Sequence, residues 1–329
     1  MTQDFAHRQV VAWGASALLE FYLRFADSPR ILSCIDSDPA RHGAELRGVK
    51  IVAPAALDTL DRDTTLVVNF AIASPSIQAI QAELTGRGFT MGIDCTDFAE
   101  FARAGFQPRA QALLGRRFDE GLLAYARAFN LESNVPLETT VLGNWLLLEA
   151  LRATTGMPGA IAEVGAFQCG NACLLLNAMS LWGDARSYYV FDSFRGFGGL
   201  SPQDPAELAG SYDVDYGASH ILNRMRLYPQ ARVITGFVPE SFREVPEGER
   251  FSLVFFDCDL YQPALDTFHF IWERLLPGGV LAIHDYVAAD GGWTGIRAAA
   301  QEFFAGRGVP VHDLWETTMG IVFKPGTAP

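Results

Sequence analysis

The chain has 329 residues and a formal net charge of −13. That length exceeds one ordinary domain and points to two. Hydrophobic residues make up 49% and charged residues 19%, which excludes wholesale disorder, and so acidic a surface argues against nucleic acid as a partner. No basic-then-apolar leader opens the sequence, and no apolar run approaches the ~18 residues that span a bilayer. A cytoplasmic protein without a membrane partner is expected. The five cysteines, Cys34, Cys95, Cys169, Cys173 and Cys258, fit neither a disulfide framework nor a zinc spacing. Cys169 and Cys173 share a helix face and read as core thiols.

The first hundred residues alternate short apolar runs with helical stretches. Gln9–Trp13 reads as a buried strand that ends in Gly14-Ala15-Ser16, and an amphipathic stretch follows to Phe25. Arg30–Ile35, Val49–Val52 and Thr65–Phe70 read as further strands, and Ser76–Gly86 as a helix. This alternation predicts a parallel sheet with helices on its faces. Helical patterns then dominate: Asp97–Ala104, Phe118–Phe129 and Leu137–Thr155, interrupted at Gly105–Pro108 and at Asn134-Val135-Pro136. The domain join falls here, giving a small domain over 1–95, a helical linker over 96–136 and a second domain over 137–329.

A second alternation has strands at Ala160–Val164, Ser187–Phe191, Arg232–Thr235, Leu253–Phe256 and Val280–Ile283. All are short and apolar, as for strands covered on both faces. Val309–Leu314 and Gly320–Phe323 lie close enough in sequence for an antiparallel hairpin at the sheet edge. The fold class is therefore α/β, with two Rossmann-like domains.

The segment EVGAFQCGNA carries the most information. A strand runs into Gly165, a tight loop follows, and Gly170 opens a helix whose first N–H groups have no partner within it. The spacing is G-x-x-x-x-G. It matches neither the dinucleotide G-x-G-x-x-G nor a P-loop. The acidic Glu163 suits a cationic or amine-bearing ligand such as S-adenosylmethionine (SAM). Asp192 ends the next strand, where a carboxylate can accept bonds from both ribose hydroxyls. Asp257 follows the fourth apolar strand and His284-Asp285 the fifth, so the three should converge on the same crevice. Two carboxylates and an imidazole can hold a divalent ion or place a base beside a hydroxyl. Asp259 reads equally well as a helix N-cap.

EVGAFQCGNA, VFDSFRGF, FFDCDLYQPALD and LLPGGVLAIHDY together resemble the macrocin O-methyltransferase family, over roughly Leu137 to Phe323. The resemblance implies a class I SAM-dependent methyltransferase fold, with a seven-stranded, mostly parallel sheet ending in an antiparallel hairpin. It implies O-methylation of a sugar or glycosylated natural product, with magnesium. By position, Glu163 and Gly165 would line the methionine end of SAM, with Gly170 in the same loop. Asp192 would hold the ribose, Ser193 would lie near the adenosine, and Gly236 and Phe237 would flank the adenine. Asp257 matches the family's metal-binding aspartate and suspected base. His284 and Asp285 stand where the family usually has two aspartates. Histidine coordinates as a neutral ligand and suits zinc, iron or nickel better than magnesium, so it leaves the metal's identity open, and His284 is equally a candidate general base.

The N-terminal part resembles the small nucleotide-binding-type domain attached to some sugar-modifying acyltransferases and C-methyltransferases. There Gly14 and Asp36 would be the loop and ribose positions, with a ligand-free scaffold or dimerisation domain as the alternative. The stretch Gly196–Gly217 reads either as a lid, from which Tyr212, Asp213, Asp215, Tyr216 and the nearby His220 reach substrate, or as a solvated loop. Two other functions stay open at this stage. One is a nucleotide-sugar-modifying enzyme centred on the N-terminal domain, and the other is a non-catalytic SAM-binding scaffold. Self-association into a homo-oligomer is open as well.

Overall fold

The computed structural model describes residues 8–25, 31–71, 74–133, 135, 139–210, 218–287 and 294–326. The chain forms two compact units, Met1–Phe118 and Asp119–Pro329.

The first unit runs β1 (Gln9–Trp13), α1 (Ala17–Phe25), β2 (Ile31–Ile35), β3 (Glu45–Leu46), β4 (Val49–Val52), β5 (Thr65–Asn69), α2 (Ser74–Gly86), β6 (Cys95–Asp97) and α3 (Phe98–Leu114). Its sheet order is β3-β4-β2-β1-β5-β6. All neighbours are parallel except β3 with β4. Val11, Trp13, Ile35, Val67 and Leu84 meet in its core. Three elements differ from the sequence expectation, the first being the added two-residue strand Glu45–Leu46. Cys95–Asp97 is a strand, and helix α3 runs straight through the expected break at Pro108. Proline removes one helix N–H, but Ala102, Phe106 and Ala110 form a buried stripe that carries the helix past it.

The second unit begins with α4 (Glu120–Glu132) and α5 (Val141–Ala153), so the helices of the 96–136 stretch fall on both sides of the division. It continues as β7 (Ala160–Val164), α6 (Gly170–Trp182), β8 (Tyr188–Asp192), α7 (Ala218–Met225), β9 (Ala231–Thr235), β10 (Phe251–Phe256), α8 (Tyr261–Trp272), β11 (Leu275–Ile283), α9 (Thr294–Ala305), β12 (His312–Leu314) and β13 (Met319–Phe323). The sheet order is β12-β13-β11-β10-β7-β8-β9. β13 pairs antiparallel with β11 and β12, and the other pairs are parallel. Every residue of β7 and β10 is buried, as a parallel sheet covered on both faces requires. From β7 the chain proceeds outward to β8 and β9, then returns to lay β10 on the other side. The order thus reverses between β7 and β10, and a crevice opens beyond the carboxyl ends of these strands. Among the described residues no helix is long and apolar enough to cross a membrane. All five cysteines are free thiols.

Glu149 on α5 is fully buried and is ion-paired to Arg152, which also holds Asp119, the N-cap of α4. Removing the cation beside a buried carboxylate is costly. Arg152→Met should lower stability by about 3 kcal/mol, read as a reduced urea midpoint, and the double variant Glu149→Gln/Arg152→Met should recover part of that loss. An Arg152→Met midpoint equal to wild type would show that the pair contributes nothing.

Candidate functional site

The strand ends are held in register by backbone bonds: Gly165 N–H to Phe191 O at 2.8 Å, Asp257 N–H to Val164 O at 2.8 Å, His284 N–H to Phe256 O at 2.9 Å and Gly236 N–H to Asp192 O at 2.9 Å. Side chains just past each strand therefore face one space. Gly165 has φ +86°, and a Cβ there would overlap the Asp257 carbonyl and lie 2.9 Å from Cys258 N. Glycine is required at this point because β10's exit passes directly over the loop. Phe167 and Cys169 also adopt left-handed backbone, with φ 47° and 60°. No side chain caps α6, whose first residues, Gly170 and Asn171, border the cavity.

The cavity encloses ≈ 840 Å³. Glu163, Gly165, Gly170, Asp192, Ser193, Gly236, Phe237, Asp257, His284 and Asp285 all line it, so the fold brings these ten residues inferred from the sequence to one place. It also adds residues the sequence did not single out: Asn171, Phe197, Leu200, Gln262 and Asp266. They lie within the glycine motif, the candidate lid and the stretch after Asp257, where no chemistry of their own marks them individually.

Asp192 has a different environment from a free ribose ligand. Its Oδ2 accepts the N–H groups of Ala166 (2.8 Å) and Phe167 (2.7 Å), and its Oδ1 accepts that of Phe194 (2.6 Å). The carboxylate thus shapes the glycine loop from behind. Of its roughly four acceptor directions three are used. Burial, only partly offset by these three bonds, pushes its pKa up.

Asp257, His284 and Asp285 form a compact group whose ligand atoms lie within 4.8 Å of one another. His284 Nδ1 is 2.8 Å from Asp257 Oδ1 and 3.5 Å from Asp285 Oδ1. Its Nε2 is 3.2 Å from Thr318 Oγ1, whose own proton goes to Thr317 O at 2.6 Å. Nε2 therefore carries a hydrogen, and Nδ1 faces two carboxylates. A lone pair in that position must meet a proton or a cation. Burial opposes charging the ring, but Asp257 and Asp285 outweigh it and push the pKa to about 10. Asp259 stands beside them with φ 65°, its carboxyl held well above the usual range by burial and by the charges of Asp257 and Asp285. Asp259 does not cap α8. That role falls to Asp204, which is buried and whose Oδ1 accepts Tyr261 N–H at 2.8 Å and Oδ2 accepts Ser201 N–H at 2.7 Å. Asp204 thereby ties the wall segment Gly196–Ser201 to the helix that follows the Asp257–Asp259 turn.

Of the candidate lid, Gly196–Ser201 lines the cavity, while Tyr212, Asp213, Asp215 and Tyr216 lie outside the described residues. His220 is exposed, contacts Arg224 and is not in the lining. In the first unit, Asp36 accepts Ala15 N–H (3.1 Å), Asp38 N–H (2.9 Å) and Arg41 (3.0 Å). Ser16 Oγ donates to Phe70 O at 2.6 Å across the β1–β5 crevice.

Residues 147–323 match the family described as Macrocin-O-methyltransferase (TylF). A curated relative, 8-demethyl-8-(2,3-dimethoxy-alpha-L-rhamnosyl)-tetracenomycin-C 4'-O-methyltransferase of Streptomyces olivaceus, is 28% identical over 149 residues, which is 40% of this chain and 54% of the relative. The chain thus spans about half the length of that relative. Among solved structures, the calicheamicin methyltransferase CalS11 aligns with TM-score 0.47 and 19% identity, over 62% of this chain and 91% of its own. The O-methyltransferase NovP aligns with TM-score 0.49 and 16% identity, over 68% of this chain and 100% of its own.

Glu163 is buried, and its Oε2 accepts the Tyr188 hydroxyl at 2.8 Å. Burial raises its pKa to about 8, Tyr188 lowers it in part, and Asp257 and Asp192 raise it further. The folded state then holds a proton on Glu163 that the unfolded chain has lost between about pH 4.5 and 8, so stability falls as pH rises through that window. Glu163→Gln mimics the protonated acid and keeps an acceptor for Tyr188. Its urea midpoint should fall less steeply than wild type between pH 5 and 8 and exceed it at the upper end. Identical pH profiles would show that Glu163 is ionised in the fold.

Proposed function

Because the chain belongs to the macrocin-O-methyltransferase family, we propose that its second unit binds SAM in the cavity and transfers the methyl group to a hydroxyl of a sugar or glycosylated natural product. The observation that carries this is the single cavity shared by the glycine loop, Asp192 and the Asp257/His284/Asp285 group. In this reading the two sheets are two Rossmann-like domains, the second a class I methyltransferase fold. The domains are 1–95 and 137–329, with helices between.

Glu163, Gly165 and Gly170 hold the methionine end of SAM. Asp192, having one acceptor direction left, takes a ribose hydroxyl, and Ser193 lies by the adenosine. Gly236 and Phe237 flank the adenine. The acceptor hydroxyl sits against Asp257. Its oxygen bonds to the methyl carbon as the carbon–sulfur bond breaks, and its proton passes to the Asp257 carboxylate, which His284 Nδ1 steadies from behind. Binding both groups in one cavity aligns the two reacting centres. Asp257, His284 and Asp285 also fit a divalent ion, since a lone pair on Nδ1 and two carboxylates converge. Such an ion, when bound, would lower the pKa of the acceptor hydroxyl. The imidazole widens the choice beyond magnesium to manganese, iron or zinc.

Asp257→Asn should lower kcat by about 10²-fold or more while leaving SAM affinity within about threefold by calorimetry. Asp192→Ala should weaken SAM binding by about tenfold or more, since the loop and a ribose hydroxyl both lose a charged acceptor. Chelation should reduce turnover, and magnesium or manganese should restore it. Full turnover in chelator would assign the site to the imidazolium alone, and a wild type that binds no SAM at millimolar concentration would end the proposal.

A further inference from the structure

A buried chain of polar side chains meets the cavity at the start of α6. Thr139, just ahead of α5, is 5% exposed, Asn144 on α5 0% and Asn171 on α6 6%. Thr139 Oγ1 lies 2.6 Å from Asn144 Oδ1 and 2.7 Å from Asn171 Oδ1. A hydroxyl has one proton to donate, so one of the two amides must present an N–H to it in place of an oxygen. The two ends of an amide have the same outline, and their partners decide which way it lies. With its oxygen on Thr139, Asn144 leaves Nδ2 enclosed and without an acceptor. Turned over, it donates to Thr139 and leaves only an oxygen enclosed, and a buried N–H without a partner is the rarer of the two. The chain then runs from the Asn144 N–H to Thr139 Oγ1, and from the Thr139 O–H to Asn171 Oδ1. Asn171 is thereby held with its oxygen inward and its amide nitrogen outward. The residue lines the cavity, and among the described residues its Nδ2 has no partner and, unlike that of Asn144, is not enclosed.

That outward N–H answers a need of the cofactor. SAM carries a carboxylate at its methionine end, which lies at the glycine loop in the reading above. A carboxylate taken into a cavity needs donors. Among the described residues of the lining there is no lysine or arginine. Ser193 Oγ already donates to Gly196 O at 2.9 Å, and Gln262 Nε2 to Asp266 at 3.0 Å. At the glycine loop the donors are the first N–H groups of α6, which no side chain caps, and the Asn171 amide on the same turn. A helix N-terminus favours an anion, and an amide already fixed in direction by a buried hydroxyl loses little freedom on binding one.

We propose that Asn171 Nδ2 binds the carboxylate of SAM beside the N-terminus of α6, and that Thr139 and Asn144 are positioning residues that fix the Asn171 amide as a donor. The proposal rests on the methyltransferase reading above. It gives the pair ahead of and within α5, remote from the reacting atoms, a role in cofactor recognition that acts only through Asn171.

The test titrates the full chain by calorimetry with S-adenosylhomocysteine, which has the carboxylate and the ammonium, with decarboxylated SAM, which has only the ammonium, and with 5′-methylthioadenosine, which has neither. Asn171→Ala should weaken S-adenosylhomocysteine about tenfold and leave the other two within about twofold. Asn171→Asp sets the sign. Against a carboxylate it should weaken S-adenosylhomocysteine more than the alanine does, whereas an amide that accepts from the ammonium would bind more tightly as aspartate. Thr139→Val keeps the shape and removes the proton, so S-adenosylhomocysteine should weaken about threefold with methylthioadenosine unchanged, and Thr139→Ser should restore it. Tighter binding by Asn171→Asp, or an equal loss for decarboxylated SAM, overturns the proposal. Loss of methylthioadenosine binding in step with S-adenosylhomocysteine would make Asn171 a structural residue and overturns it as well. A wild type that binds none of the three would instead strike the methyltransferase reading, so the two failures are distinguishable.

Discussion

A carboxylate at the end of β8 fixes the shape of the cavity. Asp192 collects three backbone N–H groups, two from the glycine loop and one from its own following turn. Those donors would otherwise point into a partly buried space without partners, at a cost of about 1–3 kcal/mol each. With the carboxylate in place, the loop can hold left-handed backbone at Phe167 and Cys169, an arrangement that side-chain-bearing residues adopt only when their surroundings enforce it. The position of α6, and hence the width of the cavity at that end, follows from this. The loop also meets β10 directly, since Gly165 leaves no room for a Cβ under the Asp257 carbonyl. One end of the cavity is thereby coupled mechanically to the other, where the chemistry is placed.

Charge balance is the second constraint. Asp257, Asp259 and Asp285 crowd one region, and carboxylates so close cannot all ionise unaided. The structure answers with an imidazole whose Nδ1 faces two of them and whose Nε2 is held by Thr318. His284 thus makes good the sequence's departure from a pair of aspartates. The substitution removes one negative charge and adds a group that carries a proton or yields it to a metal. The same histidine explains how Asp257 and Asp285 sit side by side with no lysine or arginine among the described residues of the cavity lining.

Much of this was legible in the sequence because the second unit's strands are short, apolar and bounded by glycine or aspartate. Ala160–Val164 was read to the residue, and the ten residues assigned to the site line one cavity. Family resemblance supplied Ser193, Gly236 and Phe237, which carry no strand-end chemistry of their own. What escaped depends on contacts remote in sequence. Asp204 caps α8 across 57 residues, where local reasoning offered Asp259. The strand Cys95–Asp97 goes unread in the sequence, and Asp97 reads as the start of the following helix, because three residues are too few for a period-2 pattern to register. Pro108 reads as a break on propensity alone, which does not carry the buried stripe of Ala102, Phe106 and Ala110.

The two units show why topology alone does not make a site. Each has a glycine after its first strand at positive φ, and each has an aspartate at the end of its second strand that accepts at least one N–H group from the loop. In the first unit the loop is short, and Ser16 bonds to Phe70 O across the crevice. A Cβ on Gly14 would already meet Ala71 N at 3.3 Å, and Asp36 is further engaged by Arg41. In the second unit the loop between Val164 and Gly170 runs five residues, and among the described residues no side chain is bonded across it. Space opens above the strand ends and carboxylates line it. A parallel strand–loop–helix start followed by a strand-end aspartate therefore yields a stitched crevice in one case and a cavity in the other. The difference lies in loop length and in one serine hydroxyl, which is where a nucleotide role for the first unit has to be argued.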